Sequence, residues 1–90
     1  MSLDGRRILV GVTGGIAAYK AVEVVSRLRR MGATTRVVMT RSAARFVAPL
    51  TFRVISGNPV YLRLFEEPRA WDVQHVSLAR WAEILLIVPA

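Results

Sequence analysis

Two glycines in residues 8–20, ILVGVTGGIAAYK, stand where a segment rich in Ile and Val gives way to an alanine-rich helical segment. Gly14 and Gly15 allow a tight turn there, which leaves the first backbone N–H groups of the following helix free to face a ligand. Those N–H groups and the positive end of the helix dipole favour phosphate. The turn therefore predicts anion binding; the alternative is a tight turn that holds no ligand.

Two other side chains are candidates for chemistry near such a ligand. His75 is the single histidine of the chain, and it follows an irregular polar segment instead of lying on an apolar face. An imidazole serves as a general base near neutral pH, although a lone histidine is more often structural or solvated. Thr40 ends the second predicted strand, where an NAD-binding domain carries an acidic residue for the ribose.

The spacing of the glycines excludes two common phosphate motifs. A P-loop requires Gly-Lys-Ser/Thr after four variable residues, whereas Lys20 here follows Tyr19. The dinucleotide fingerprint, if it began at Gly11, would need glycine at the positions of Thr13 and Ile16. Binding of NAD is therefore not expected.

A third pattern, the T-G-x-x-x-G-x-G of short-chain dehydrogenases, begins in the same way at Thr13. It would need glycine where Ala18 and Lys20 stand. Arg41 and Ser42 are suitable for a 2′-phosphate, so an NADP-dependent reductase stays open as an alternative. Such an enzyme would carry a Tyr-x-x-x-Lys motif beyond these residues.

Strand-like and helix-like segments alternate along the chain. This alternation predicts an α/β fold with a doubly wound, flavodoxin-like or Rossmann-like parallel sheet and helices on both faces. Ser42 is the predicted N-cap of the second helix, and Pro49 suits the first turn of the third. The predicted strands are residues 7–13, 35–40, 60–62 and 84–88, and the predicted helices are residues 15–30, 42–46, 49–56 and 77–82. Residues 1–90 are expected to form the N-terminal part of one domain, truncated after its fourth strand.

The composition limits the classes of partner. Thirteen Lys and Arg residues against six Asp and Glu give a net charge of +7, but the bases are spread along the chain without a nucleic-acid motif. No apolar run approaches the roughly 18 to 20 residues that span a bilayer, and the N-terminus lacks a signal-peptide core. The expected location is the cytoplasm, with no nucleic acid and no membrane as partners. The absence of cysteine excludes thiolate metal sites, so no metal site is expected.

Four motifs occur in order: GVTGGIAAYK at 11–20, VMTRSAARF at 38–46, WDVQHVSLARWA at 71–82 and LLIVPA at 85–90. Together they resemble the homo-oligomeric flavin-containing cysteine decarboxylases. The resemblance implies FMN as the cofactor, with Gly14, Gly15 and Ile16 at its phosphate and ribityl chain and with Thr40 also reaching the flavin. It implies that His75 is the active-site histidine, acting as a base or an orienting group. A single phosphate explains why the dinucleotide fingerprints fail.

The resemblance is strongest to the members that decarboxylate 4′-phosphopantothenoylcysteine to 4′-phosphopantetheine in coenzyme A biosynthesis. It implies a lyase without net oxidation, because the flavin accepts two electrons from the cysteine moiety and later returns them. It also implies a homotrimer or a dodecamer, and a fused or partner phosphopantothenate–cysteine ligase domain. The family's later substrate motifs and flap cysteine follow the region matched here, so these 90 residues alone are expected to be inactive.

Other functions stay open within the same fold. Peptidyl-cysteine decarboxylases share the turn and the histidine, while flavin prenyltransferases share the turn but differ around His75. A non-enzymatic, flavodoxin-like interaction subunit is a further alternative, which an absence of bound flavin would favour.

Overall fold

Strands and helices alternate as the sequence predicts in this computed structural model, which describes residues 2–13, 17–63 and 80–88. The strands are β1 (Arg7–Val12), β2 (Thr34–Thr40), β3 (Val60–Arg63) and β4 (Ile84–Val88). The helices are α1 (Ala17–Arg30), α2 (Arg41–Ala44) and α3 (Pro49–Ser56).

The strands form one parallel sheet in the order β3-β2-β1-β4. Val10 at the centre of β1 pairs with Val37 on one side and with Leu86 on the other. The chain builds outward from β1 to β3 and then returns to the other side of β1. This reversal defines a doubly wound sheet, and the order is that of the first four strands of a Rossmann-like sheet, so the predicted doubly wound α/β class is confirmed.

The main core lies on one face of the sheet, where α1 and α3 pack side by side. Alternate residues of β1 and β2 point to this face because successive side chains of a strand point to opposite sides. The fully or almost fully buried side chains include Ile8, Val10, Val12, Val37 and Met39 from the strands, Ala18, Ala21 and Val25 from α1, and Phe52 from α3. Part of the helix predicted at residues 77–82 lies outside the described residues.

Helix α3 begins and ends where the sequence predicts. Pro49 occupies the start of the helix, where its missing N–H has no intrahelical role. Gly57 follows the last turn with φ of +73°, a left-handed conformation that glycine adopts without steric cost. Arg29 of α1 then donates from Nη1 to the carbonyl oxygen of Ile55 at 3.0 Å. The two helices are thus joined at the C-terminal end of α3.

The start of α2 corrects one sequence prediction, because Thr40 and not Ser42 is its N-cap. Strand β2 continues to Thr40, and helical geometry begins directly at Arg41. The Thr40 hydroxyl oxygen accepts from the backbone N–H of Ala43 at 3.1 Å, which is the usual capping geometry. Ser42 lies inside the helix, two positions after the N-cap.

Candidate functional site at the carboxyl edge of the sheet

Three strands of the sheet end at the same level. Val12 of β1 pairs with Met39 of β2 and with Val88 of β4. The chain reverses its winding direction between β1 and β4, and ligands of open α/β sheets bind in the crevice outside the strand ends at such a switch point. We call this row of strand ends, Val12, Met39 and Val88, the carboxyl row.

Thr13 joins two strands at the carboxyl row. Its backbone N–H and its hydroxyl Oγ1 each donate to the carbonyl oxygen of Val88, both at 3.3 Å. These bonds hold the first residue after β1 against the end of β4 and thereby set where the glycine turn starts. Sequence reasoning used Thr13 only to reject dinucleotide fingerprints. The missed signal was a hydroxyl placed directly after a buried strand.

Thr40 directly follows Met39 of the carboxyl row, as Thr13 directly follows Val12, and Val12 and Met39 are paired. The Thr40 oxygen already accepts the α2 capping bond from Ala43. Its hydroxyl hydrogen can still be donated, so the half-buried side chain suits a ligand with an acceptor oxygen or nitrogen.

The charges near the carboxyl row favour an anion. Helix α1 begins at Ala17 and carries no acidic residue in its first turn. Lys20 is exposed in that turn, and Arg41 is exposed at the start of α2. The positive end of the α1 dipole and these basic side chains both favour an anion such as phosphate at this position.

A mainly apolar cavity of about 370 Å³ opens between α1 and the loop that follows α2. It is lined by Tyr19, Val22, Phe46, Val47, Ala48 and Thr51. Phe46 and Tyr19 are 43% and 58% exposed, so aromatic surface borders the cavity. The cavity lies on the α1 side of the sheet, whereas Thr40 belongs to the opposite face of β2. It is therefore a neighbouring feature and not the anion site itself.

The predicted site residues are described only in part. Thr40 ends β2 at the carboxyl edge of the sheet, and its contact with a flavin stays a prediction. Gly14, Gly15, Ile16 and His75 lie outside the described residues.

Trp81 lies away from the carboxyl row. The guanidinium carbon of Arg36 lies 4.4 Å from the centroid of the Trp81 ring. The Trp81 carbonyl oxygen also accepts from Nε of Arg7, the first residue of β1, at 2.6 Å. These contacts place Trp81 near the amino ends of the strands, so it has a packing role.

A doubly wound parallel sheet with hydroxyl groups and a helix start at its switch point is the architecture of a nucleotide-binding α/β protein. The profile of the family described as Flavoprotein matches residues 1–90. The chain therefore belongs to the Flavoprotein family, which supports a flavin as the class of cofactor.

Individual relatives agree with this assignment. The chain is 48% identical over 90 residues to the coenzyme A biosynthesis bifunctional protein CoaBC of Haemophilus influenzae, covering 100% of this chain and 22% of the relative. It is 44% identical over 90 residues to the CoaBC protein of Escherichia coli strain K12, again covering 22% of the relative. The chain thus spans about a fifth of the length of these proteins.

A solved structure shows the same fold. The crystal structure of the FMN-dependent cysteine decarboxylase SpaF superposes with a TM-score of 0.76 at 29% sequence identity. The match covers 99% of this chain and 51% of that chain. The resemblance to flavin-containing cysteine decarboxylases, inferred from the four sequence motifs, is confirmed.

Within residues 2–13, 17–63 and 80–88, no helix has the length and apolar character needed to cross a membrane.

Proposed function

We propose that this chain supplies the FMN-binding, N-terminal part of a phosphopantothenoylcysteine decarboxylase, which converts 4′-phosphopantothenoylcysteine to 4′-phosphopantetheine. The observation that carries the proposal is the identity of 48% to a CoaBC protein across 100% of this chain. Identity to the cysteine decarboxylase SpaF is lower, at 29% over 99% of the chain. The coenzyme A pathway substrate is therefore favoured over a peptide substrate.

The residues at the carboxyl row fit a flavin mononucleotide. A single phosphate needs one helix start without acidic side chains, and α1 provides it. It needs no acidic ribose partner at the end of β2, where Thr40 and Arg41 stand. In the proposed site, Gly14, Gly15 and Ile16 bind the phosphate and ribityl chain through backbone N–H groups.

Thr40 and His75 have separate roles in this proposal. Thr40 donates its hydroxyl hydrogen to the cofactor while its oxygen stays bonded to Ala43, which fixes the direction of the hydroxyl. His75 removes or orients a proton of the substrate cysteine. FMN, when bound, supplies the reversible two-electron chemistry that makes loss of carbon dioxide possible. The protein positions both molecules and excludes water.

The proposed setting of the enzyme follows the same relatives. The homologues are bifunctional by name, so we place a phosphopantothenate–cysteine ligase in the same polypeptide or in a partner protein. We also propose that the enzyme forms a homotrimer or a dodecamer and is located in the cytoplasm. An NADP-dependent reductase is not favoured, because the family that matches the chain is one of flavoproteins.

The cofactor provides the first test of the proposal. The intact protein is purified, denatured, and its released nucleotide is identified by chromatography and mass spectrometry. We expect FMN with a flavin absorbance in the folded protein. Release of NADP or FAD, or a colourless protein that does not take up added FMN, would contradict the proposal.

A His75→Asn variant tests the proposed catalytic role separately from cofactor binding. Asparagine is close in size to histidine and retains hydrogen-bonding groups, but it cannot act as a base near neutral pH. We expect the variant to bind FMN as the wild type does and to lose decarboxylation. Undiminished product formation would remove His75 from the mechanism.

A further inference from the structure

Thr13 attaches the chain after β1 to the end of β4 through two hydrogen bonds to one oxygen. Its backbone N–H and its hydroxyl Oγ1 both donate to the carbonyl oxygen of Val88, each at 3.3 Å. A carbonyl oxygen has two lone pairs, so it can accept both bonds. Each distance is above the usual value for its type, about 2.9 Å for N–H···O and about 2.8 Å for O–H···O. The attachment therefore depends on the two bonds together.

Burial does little to hold Thr13, because its side chain is exposed. Val12, directly before it, is buried in the core and pairs with Val88 in the parallel ladder. The N–H bond of Thr13 continues that ladder by one residue, and the hydroxyl bond reinforces it. Thr13 is thus held to the sheet by polar contacts, one of which belongs to the side chain.

Helix α1 fixes the other end of the connection that leaves β1. The helix begins at Ala17, and Ala18 and Ala21 are completely buried in the core. Only residues 14–16 separate Thr13 from the helix. So short a connection has few conformations that join two fixed ends, so a change at either end changes which of them remain. Apolar burial holds the α1 end, whereas a single substitution can remove the hydroxyl bond at the β1 end.

The Thr13 hydroxyl is already committed as a donor. It has one hydrogen, which it gives to Val88. A phosphate monoester near neutral pH is mostly dianionic and accepts hydrogen bonds, so it would have to displace Val88 in order to bind this hydroxyl. Thr40 differs, because its oxygen accepts from Ala43 and its hydrogen can be given to a ligand. The Thr13 hydroxyl therefore acts on a bound anion through the backbone that follows it.

We propose that Thr13 is a positioning residue, whose hydroxyl bond to Val88 holds the start of the glycine turn in the arrangement that receives the FMN phosphate. The proposal rests on the proposed function, in which residues 14–16 bind that phosphate. A segment that is already held in place loses little conformational freedom when it binds a ligand, which raises its affinity. Without the hydroxyl, the N–H bond alone ties Thr13 to β4, and FMN must restrict the segment as it binds.

The test measures the Kd for FMN of the intact protein after its flavin has been removed. Thr13→Val keeps the branched shape of the side chain and removes the hydroxyl, whereas Thr13→Ser keeps the hydroxyl. We expect Thr13→Val to raise the Kd by about 3- to 10-fold, the size expected for the loss of one hydrogen bond. Thr13→Ser should stay within about twofold of the wild type. A wild-type Kd in Thr13→Val would overturn the proposal.

Thr34→Val is the matched control for loss of a threonine hydroxyl. Thr34 is also exposed, but it begins β2 and pairs with Arg7 at the amino edge of the sheet. Its hydroxyl makes no hydrogen bond with the described residues. We expect this variant to keep the wild-type Kd. A rise in Kd equal to that of Thr13→Val would overturn the proposal.

Two measurements on the apoprotein separate positioning from other roles of the hydroxyl. The urea midpoint of Thr13→Val should stay close to the wild type, because water replaces the lost partner at an exposed side chain. A fall in the midpoint that accounts for the whole rise in Kd would show a structural role only. The backbone amide of residue 13 should exchange hydrogen faster in Thr13→Val, even without FMN. Unchanged exchange with weaker FMN binding would show direct contact with the cofactor and would overturn the positioning role.

The outcomes also separate this inference from the proposed function. If the wild type binds FMN and decarboxylates its substrate while Thr13→Val has the same Kd, the positioning role is wrong and the decarboxylase proposal stands. If the wild-type apoprotein does not bind FMN, the proposed function fails, and the positioning role fails with it.

Discussion

The Thr40 hydroxyl oxygen accepts a hydrogen bond from the backbone N–H of Ala43 at 3.1 Å, so the residue that ends β2 also begins α2. The same residue directly follows Met39 of the carboxyl row. Helix capping therefore fixes the orientation of a group that we propose as a cofactor ligand. A structural role and a proposed functional role meet in one side chain.

The two roles of Thr40 are separable by substitution. Thr40→Val keeps the shape but removes the oxygen, so we expect the free energy of unfolding to fall by about 1 kcal/mol, as for the loss of an N-cap. We also expect weaker FMN binding, measured by titration of the apoprotein. Thr40→Ser retains the hydroxyl and is the control, with both quantities close to the wild type. Equal FMN affinity in Thr40→Val would exclude Thr40 as a cofactor ligand.

Arg29 stabilises the contact between α1 and α3 through its bond to the carbonyl oxygen of Ile55 at 3.0 Å. Arg29→Met should lower the free energy of unfolding by about 1 kcal/mol, because one to two hydrogen bonds to the helix end are lost. Arg30→Met is a close control, since both arginines are in the last turn of α1 and interact similarly with its dipole. Urea denaturation of the two variants measures the difference. Equal losses would show that only the dipole interaction matters.

Two glycines with almost the same backbone conformation allow a paired test. Gly57 has φ of +73° and Gly5 has φ of +74°. A Cβ on Gly57 would lie 2.9 Å from Nη2 of Arg29, whereas nothing lies within 4 Å of one on Gly5. Both alanine variants therefore carry a left-handed strain of about 1 kcal/mol, and Gly57→Ala also displaces Arg29. We expect Gly57→Ala to be the less stable in urea denaturation; the reverse order would contradict the geometry.

Glu83 makes the stability of the fold depend on pH in the acidic range. The hydrogen bond from the Arg7 backbone N–H and that from the Arg6 side chain lower the pKa of the Glu83 carboxyl. A group whose pKa is lower in the folded state stabilises the fold above its unfolded pKa, near 4.3, and loses that contribution as the pH falls through the folded pKa. Stability should therefore decrease as the pH is lowered below about 4.

Glu83→Gln tests this pH dependence directly. The variant should be less stable than the wild type at pH 7, and the difference should shrink as the pH is lowered through 4 toward 3 in thermal melts. Glu23→Gln is the control, because Glu23 pairs with Arg27 across one turn of the exposed side of α1 and makes no ion pair with the described part of β1 or β4. A difference between wild type and Glu83→Gln that stays constant with pH would contradict the assigned contacts.

Much of the fold was predictable from local patterns. The apolar runs of β1 and β4, Pro49 at the start of α3 and Gly57 after its end each carry a signal within a few residues, because sterics and burial act locally. The N-cap of α2 was assigned to the wrong residue since Thr40 and Ser42 have similar capping preferences. The sequence around Thr40 and Ser42 does not reveal where β2 ends.

The candidate site was predictable to a smaller degree. The glycine turn and Thr40 were proposed as site residues because they lie where predicted strands end, and parallel strands bring such residues to one edge. The bonds from Thr13 to Val88 and the contact of Arg36 with Trp81 depend on strand order. Neither sequence separation nor periodicity encodes that order, so these contacts required the three-dimensional structure.

The most direct test of the proposed function is the product that the intact protein forms from 4′-phosphopantothenoylcysteine in the presence of FMN. Mass spectrometry should detect 4′-phosphopantetheine, the substrate less one carbon dioxide, and a peptide ending in cysteine should remain unchanged under the same conditions. Consumption of the peptide with no reaction of 4′-phosphopantothenoylcysteine would contradict the substrate assignment. No decarboxylation of either compound by the FMN-loaded protein would contradict the proposed activity.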